Sequence, residues 1–278
     1  MIATDTLSIE AIADRLRAGI LVPYLGPEMS ELAAGAVPTT YAELAEWFSK
    51  KVALPKRARG NAWSSAQFIE SKKFRATVDK LMAEAFASPV PPSPLHRLFA
   101  RLDLPLIVDT WYDGAMRTAL AGQESWGEIQ AIARAQPGEA RWYRAYDAAG
   151  APVSLDAVEG WRTLLYKPHG GAAPAGNFLI TDSDYVEVLT EIDIQTPIPD
   201  AVQQRRTGRG ILFLGCRFDD QMLRTYARQI MKRSGGPHFA IVDRALLTQN
   251  ELKMLEEQEI QVLDMSLPAF AEALLAVC

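Results

Sequence analysis

Cysteine is nearly absent: the 278 residues hold two, Cys216 and Cys278. Two thiolates cannot build a structural zinc site, which takes about four ligands. They lie far apart, one in an apolar run and one at the C-terminus, which suits a reducing compartment. Histidine is scarce as well, with three in all, so imidazole chemistry must come from His96, His169 or His238. No run approaches the roughly 18 apolar residues of a membrane span. The start Met-Ile-Ala-Thr-Asp-Thr lacks the basic and apolar stretches of a signal peptide, so a cytoplasmic protein with no membrane contact is expected. A net charge of −5 leaves no global basic footprint for nucleic acid, and the basic stretch at 204–209 reads as a solvated turn. Internal repeats and low-complexity tracts are missing too.

What is present is an ordinary globular composition, 49% hydrophobic and 23% charged. That is enough apolar side chain for a core, which excludes disordered and fibrous classes. The length suits one large domain carrying insertions.

Short apolar runs alternate with amphipathic stretches. Ile9, Ile12, Ala13 and Leu16 share one helical face, and Gly19 stops that helix. Strands are predicted at 20–25, 106–108, 163–166, 178–180, 211–214, 239–242 and 260–263. Their near-continuous apolar character suits strands covered on both faces, as in a parallel sheet. Between the later strands lie a helix from about 220 to 231, one opened by the capping box Thr248 to Glu251, and one from 267 to 277. The back half therefore reads β-α-β-α-β-α, and the fold class is α/β: a Rossmann-like, mostly parallel sheet with helices on both faces. Residues 1–278 are read as a single such domain. A helical insertion is expected over 40–92, opened by a second capping box at Thr40 to Glu43, continued by a longer helix near 64–87, and closed by the proline-rich stretch at 88–94. A second insertion, with a hairpin near 142–150, is expected over 123–160.

Five segments place polar residues where a strand ends. The turn Gly26-Pro27-Glu28-Met29-Ser30 joins the first strand to a helix, where backbone N–H groups favour an anion, although a plain strand–helix turn uses the same residues. Asp109-Thr110-Trp111-Tyr112-Asp113 follows the second strand, at the edge where open α/β sheets bind ligands. Lys167-Pro168-His169-Gly170 puts a histidine beside a crevice, the best of the three for chemistry near neutrality. For His96 and His238 a structural role is expected. Gly215-Cys216-Arg217-Phe218-Asp219-Asp220 offers an arginine for phosphate or ribose, with an aspartate that serves equally as a helix N-cap. Asp243 ends another strand, where an acid accepts ribose hydroxyls or simply forms a turn.

Taken in order, these segments resemble the sirtuin-like superfamily, in its zinc-free bacterial branch. Residues 24–30 resemble the family's Gly-Ala-Gly-x-Ser loop, and Thr110-Trp111-Tyr112-Asp113 its Thr-Asn-Tyr-Asp motif. Lys167-Pro168-His169-Gly170 resembles Lys-Leu-His-Gly, residues 179–185 the segment that follows it, and residues 213–219 the next strand and turn. The resemblance covers about residues 10–275. It implies NAD⁺ or ADP-ribose as ligand, with Gly26, Pro27, Glu28, Ser30, Thr110, Gly215, Arg217 and Asp243 as binding positions and no metal. His169, Asp113 and Trp111 fall at catalytic positions. The branch is known for NAD⁺ glycohydrolases of antiphage defence, in which an Asn and a His help water attack the ribose carbon that bears nicotinamide.

Departures from the pattern matter as much. Trp111 stands where the family has Asn, and an indole cannot orient water as an amide does. Pro27 and Glu28 replace the Ala and second Gly of the loop, bringing negative charge to a pyrophosphate site. The expectation is a pseudoenzyme that binds NAD⁺, ADP-ribose or a related nucleotide with weak or no turnover. The alternatives are an active NAD⁺ glycohydrolase in which Asp109, Asp113 or Asn177 replaces the Asn, and an interaction module that uses the 40–92 insertion to meet a protein partner or a second copy. Zinc-type protein deacetylation is not expected.

Overall fold

Alternate side chains of the apolar runs pack two separate cores, one on each face of a sheet. The computed structural model describes residues 8–33, 35–134, 141–191 and 197–278. The first six residues, read above for a leader, and residues 135–140 of the second insertion lie outside these. Strands are β1 (Leu21–Leu25), β2 (Leu106–Asp109), β3 (Trp126–Ala131), β4 (Tyr143–Asp147), β5 (Pro152–Val153), β6 (Thr163–Lys167), β7 (Gly170–Gly171), β8 (Asn177–Phe178), β9 (Gly210–Leu214), β10 (His238–Val242) and β11 (Ile260–Asp264). Nine form one sheet in the order β11-β10-β9-β1-β2-β6-β3-β4-β5, and β7 pairs with β8 apart from it. From β11 to β3 every neighbouring pair is parallel; β4 and β5 continue antiparallel at one edge.

Helices are α1 (Ile9–Arg17), α2 (Tyr41–Lys51), α3 (Ala62–Lys73), α4 (Arg75–Ala85), α5 (Pro94–Arg101), α6 (Ala115–Leu120), α7 (Asp182–Glu191), α8 (Asp200–Arg206), α9 (Gln221–Met231), α10 (Gln249–Glu257) and α11 (Leu267–Val277). On β1, Val22 and Tyr24 face one core with Val108, Tyr166 and Phe213, under Val202, Tyr226 and Met254 of α8, α9 and α10. Leu21 and Leu25 face the other core with Ile107, Leu165 and Leu212, under Leu16, Phe99, Met116 and Phe270 of α1, α5, α6 and α11. The period of two along each strand thus feeds both layers, the Rossmann-like arrangement expected from the sequence. A third core lies in the helical module α2–α4, where Phe48, Trp63 and Met82 meet Trp111, Tyr112 and Tyr185.

Three elements differ from the sequence reading. The single helix expected over 64–87 is broken at Phe74, whose φ of +68° and ψ of 158° end α3 and start α4. The strand expected at 178–180 shrinks to the two residues of β8, because Leu179 and Ile180 turn into the cores to meet Tyr112 and its neighbours. β3, placed by the sequence within an insertion, lies inside the main sheet beside β6. Its polar positions hid it. Glu128 and Gln130 are fully buried, and Arg117 Nη1 lies 3.0 Å from Glu128 Oε2.

Caps explain several boundaries. Thr248 and Glu251 form the predicted reciprocal box. At α2, Thr40 accepts from the Glu43 N–H, but the Glu43 carboxylate reaches back one residue further, to the Thr39 N–H at 2.7 Å.

Candidate functional site

Chain order along the sheet reverses beside β1: β2 lies on one side, and β9 to β11 run out on the other. At such a reversal the loops leave the sheet in opposite directions and open a crevice at the carboxyl ends of the strands. Here it is a cleft of about 210 Å³. Its wall includes Tyr24 of β1, Pro27 and Glu28 of the following turn, Thr110 after β2, and Gly215, Cys216, Arg217, Phe218 and Asp219 after β9. Tyr41 and Ala42, in the first turn of α2, close it from the helical module.

The β1 and β9 turns touch one another. A Cβ on Gly26 would overlap the Gly215 carbonyl oxygen, and one on Gly215, itself at φ +62°, would sit 2.7 Å from the Met29 nitrogen. Both glycines are therefore required for the turns to meet. The contact consumes backbone donors. Gly26 N–H donates to Leu214 O at 2.8 Å, Glu28 N–H to Gly215 O at 3.2 Å and Met29 N–H to Gly26 O at 3.2 Å. Pro27 has no N–H to offer. Thr110 directs both its N–H and its hydroxyl to Leu25 O, at 2.9 and 2.8 Å.

Arg217 is committed as well. Its Nε and Nη2 donate to the two Glu251 carboxylate oxygens at 2.8 and 2.9 Å, and Nη2 also reaches Leu246 O. Burial pushes the Glu251 carboxyl up, but hydrogen bonds from Arg217, Thr248 and the Phe218 N–H outweigh this and hold it down at about 2. Burial, with Glu31 nearby, pushes the Glu28 carboxyl above its ordinary value. Asp219 stands on the exposed rim, and Asp220 rather than Asp219 caps α9, accepting from the Met222 N–H at 2.7 Å.

His169 does not reach the cleft wall. It has no exposed surface; its Nδ1 donates to Thr110 O at 3.0 Å and lies 3.4 Å from the Tyr41 hydroxyl. That assignment of the ring proton follows from the carbonyl acceptor. Tyr185 and Tyr226 pack edge-on against the ring, with centroids at 5.1 and 5.2 Å. Nε2 is buried with no hydrogen-bond partner among the described residues. Burial lowers the imidazole to about 3, so it is neutral at physiological pH.

Trp111 is enclosed in the helical module. Its Nε1 donates to Pro38 O at 2.9 Å, and its indole packs edge-on against Tyr41 and Phe86. Asp113 accepts from the Ser30 hydroxyl at 2.6 Å and from the Ala115 N–H at 2.8 Å, so these two site candidates brace each other. Lys167, 2% exposed, donates to Asp109 Oδ2 at 2.7 Å and to the carbonyls of Trp111 and Asp113. Burial raises the Asp109 carboxyl against the pull of that lysine. Asn177 accepts from the Ala133 N–H at 2.7 Å. Asp243, exposed at the end of β10, accepts from the Ala245 N–H at 3.0 Å as the cap of a short turn, and is not part of the cleft wall.

The cleft thus gathers Pro27, Glu28, Thr110, Gly215 and Arg217 of the sequence candidates, with Gly26 forming the loop contact beneath. Ser30, Asp113, Trp111 and His169 lie behind the wall, and Asp243 lies elsewhere. Sequence reasoning missed Tyr41 as a site former. Its only signal was a place one residue after the N-cap of a predicted helix, and nothing local shows which loop that helix end faces.

The SIR2-like domain model matches residues 105–263, more than half of the chain. The chain belongs to the SIR2-like family. It is also similar to the NAD(+) hydrolase ThsA of Bacillus cereus (strain MSX-D12), with 21% identity over 237 residues, 82% of this chain and 45% of that protein. The chain thus spans less than half the length of this relative. Among the described residues, no helix is long and apolar enough to cross a membrane.

Proposed function

We propose that this SIR2-like domain binds NAD⁺, ADP-ribose or a related nucleotide in the cleft between the β1 and β9 turns, with weak or no turnover. Membership of the family, the relationship to an NAD(+) hydrolase and a crevice at the sheet's reversal point support binding. The observation that carries the second half is the enclosure of His169. A base that takes a proton from water must come within hydrogen-bond reach of it. His169 has no exposed surface, spends Nδ1 on Thr110 O and is too weakly basic to hold a proton near neutrality.

Among the described residues, the candidates for the role of the missing amide are already engaged. Trp111 directs its only donor away, to Pro38 O. The alternatives Asp109, Asp113 and Asn177 already serve Lys167, Ser30 and the Ala133 N–H. Losing one member of a cooperating catalytic pair removes several powers of ten in rate.

Saturation-transfer NMR with NAD⁺ and ADP-ribose tests the binding half. Ala42 is exposed and lines the cleft, so Ala42→Trp fills the cleft without disturbing a core. Transfer to at least one ligand is expected from the wild type, and its loss from Ala42→Trp at unchanged melting temperature. No transfer from the wild type, or equal transfer from both, would refute the site.

A further inference from the structure

We propose that the cleft holds the nucleoside end of its ligand and excludes the pyrophosphate, so that a phosphate-free nucleoside binds more tightly than a polyphosphate form. This rests on the cleft being the nucleotide site, and adds which part of the nucleotide it recognises.

Three independent features point the same way. The first is the supply of donors. Phosphate cradles at strand–helix turns work by presenting free backbone N–H groups to the anion. Here Gly26, Glu28 and Met29 have spent theirs on Leu214, Gly215 and Gly26, and Pro27 has none. On the β9 side, the Phe218 N–H serves Glu251 at 3.0 Å.

The second feature is charge. Among the described residues one guanidinium, that of Arg217, lines the cleft, and three carboxylates act on it: Glu251, Asp219 and Glu28. Glu251 neutralises Arg217 through two hydrogen bonds, which leaves Glu28 and Asp219 as the uncompensated charge of the wall. An entering pyrophosphate meets net repulsion, whereas an uncharged base and ribose do not, and a cationic pyridinium is attracted.

The third is size and surface. About 210 Å³ is below the roughly 300–1,000 Å³ typical of pockets for drug-sized ligands. It suits one nucleoside rather than two joined through phosphates. Tyr24, Tyr41 and Phe218 supply the aromatic wall on which a base or pyridinium ring can stack.

Calorimetric titration of the intact protein with adenosine, nicotinamide riboside, NAD⁺ and ADP-ribose, at one ionic strength, tests this. Both phosphate-free ligands are expected to bind more tightly than NAD⁺, and ADP-ribose most weakly. Glu28→Gln is expected to narrow the gap between nicotinamide riboside and ADP-ribose on the order of threefold to tenfold, as removal of one partly screened charge should. Asp219→Asn, on the exposed rim and safe for folding, is expected to act in the same direction. ADP-ribose binding as tightly as the riboside, or a gap that neither substitution moves, would overturn the exclusion of phosphate while leaving the site standing. Binding by none of the four would overturn the nucleotide site and this inference together.

Discussion

A buried imidazole is a poor base, and two of the three histidines here are buried. His169 is lowered to about 3 and His96 to about 4, each chiefly by burial. His96 has a visible structural task. Its Nδ1 accepts from the Ser93 N–H at 3.2 Å and completes the box that starts α5. In the unfolded chain both rings titrate near 6.5. Below that pH the unfolded state binds more protons than the folded one, so the contribution of each ring to stability is lost as pH falls from about 6.5 toward its folded value. His169→Gln removes one such group. The stability difference between wild type and His169→Gln, measured by urea denaturation, is therefore expected to shift by about 1 kcal/mol in favour of the variant between pH 7 and 5.5. A pH-independent difference would mean that His169 is accessible to protons in the folded protein, contrary to the enclosed site.

At the scale of elements, the junction of α3 and α4 shows a local rule broken for a distant contact. Phe74 adopts a φ and ψ reserved almost entirely for glycine, yet its side chain is 81% exposed and gains little by packing. The sharp turn swings Arg75 back toward α7. Its Nη1 meets both Asp184 oxygens at 2.9 Å, its Nε meets Asp79 at 2.9 Å, and its Nη2 donates to Phe178 O. Asp184 in turn collects the N–H groups of Ile180 and Thr181 at 3.0 Å each. The network that joins the helical module to the sheet domain thus fixes the conformation of Phe74. Phe74→Gly is expected to relieve the strain and raise stability by about 1 kcal/mol, after the entropic cost of glycine in the unfolded chain. A drop in the thermal midpoint would show instead that the ring makes a stabilising contact.

For the whole molecule, the layered sheet was legible because strand-length apolar runs alternate with helical patterns, and β9 to α11 follow that grammar without exception. The cleft was legible in outline, because strand ends of a parallel sheet collect the polar turns that the sequence marks. The remainder depends on partners far away in the chain. β3 was obscured because its buried Glu128 is matched by Arg117 of α6. The break at Phe74 has no glycine or proline to announce it. His169 looked available for chemistry, since its local sequence, a proline before and two glycines after, says nothing of the Tyr41, Tyr185 and Tyr226 rings that enclose it. Gly26 looked like half of a phosphate cradle, but its missing side chain makes room for the Gly215 carbonyl.

The central proposal is that the domain holds a nucleotide and leaves it intact. Proton NMR of NAD⁺ incubated for a day with a high concentration of the protein tests this most directly, because one tube reports binding and cleavage together. The expected result is broadened NAD⁺ signals with no free nicotinamide. Nicotinamide that accumulates with the wild type and not with His169→Ala would contradict the account, since it would make the enclosed histidine a working catalyst.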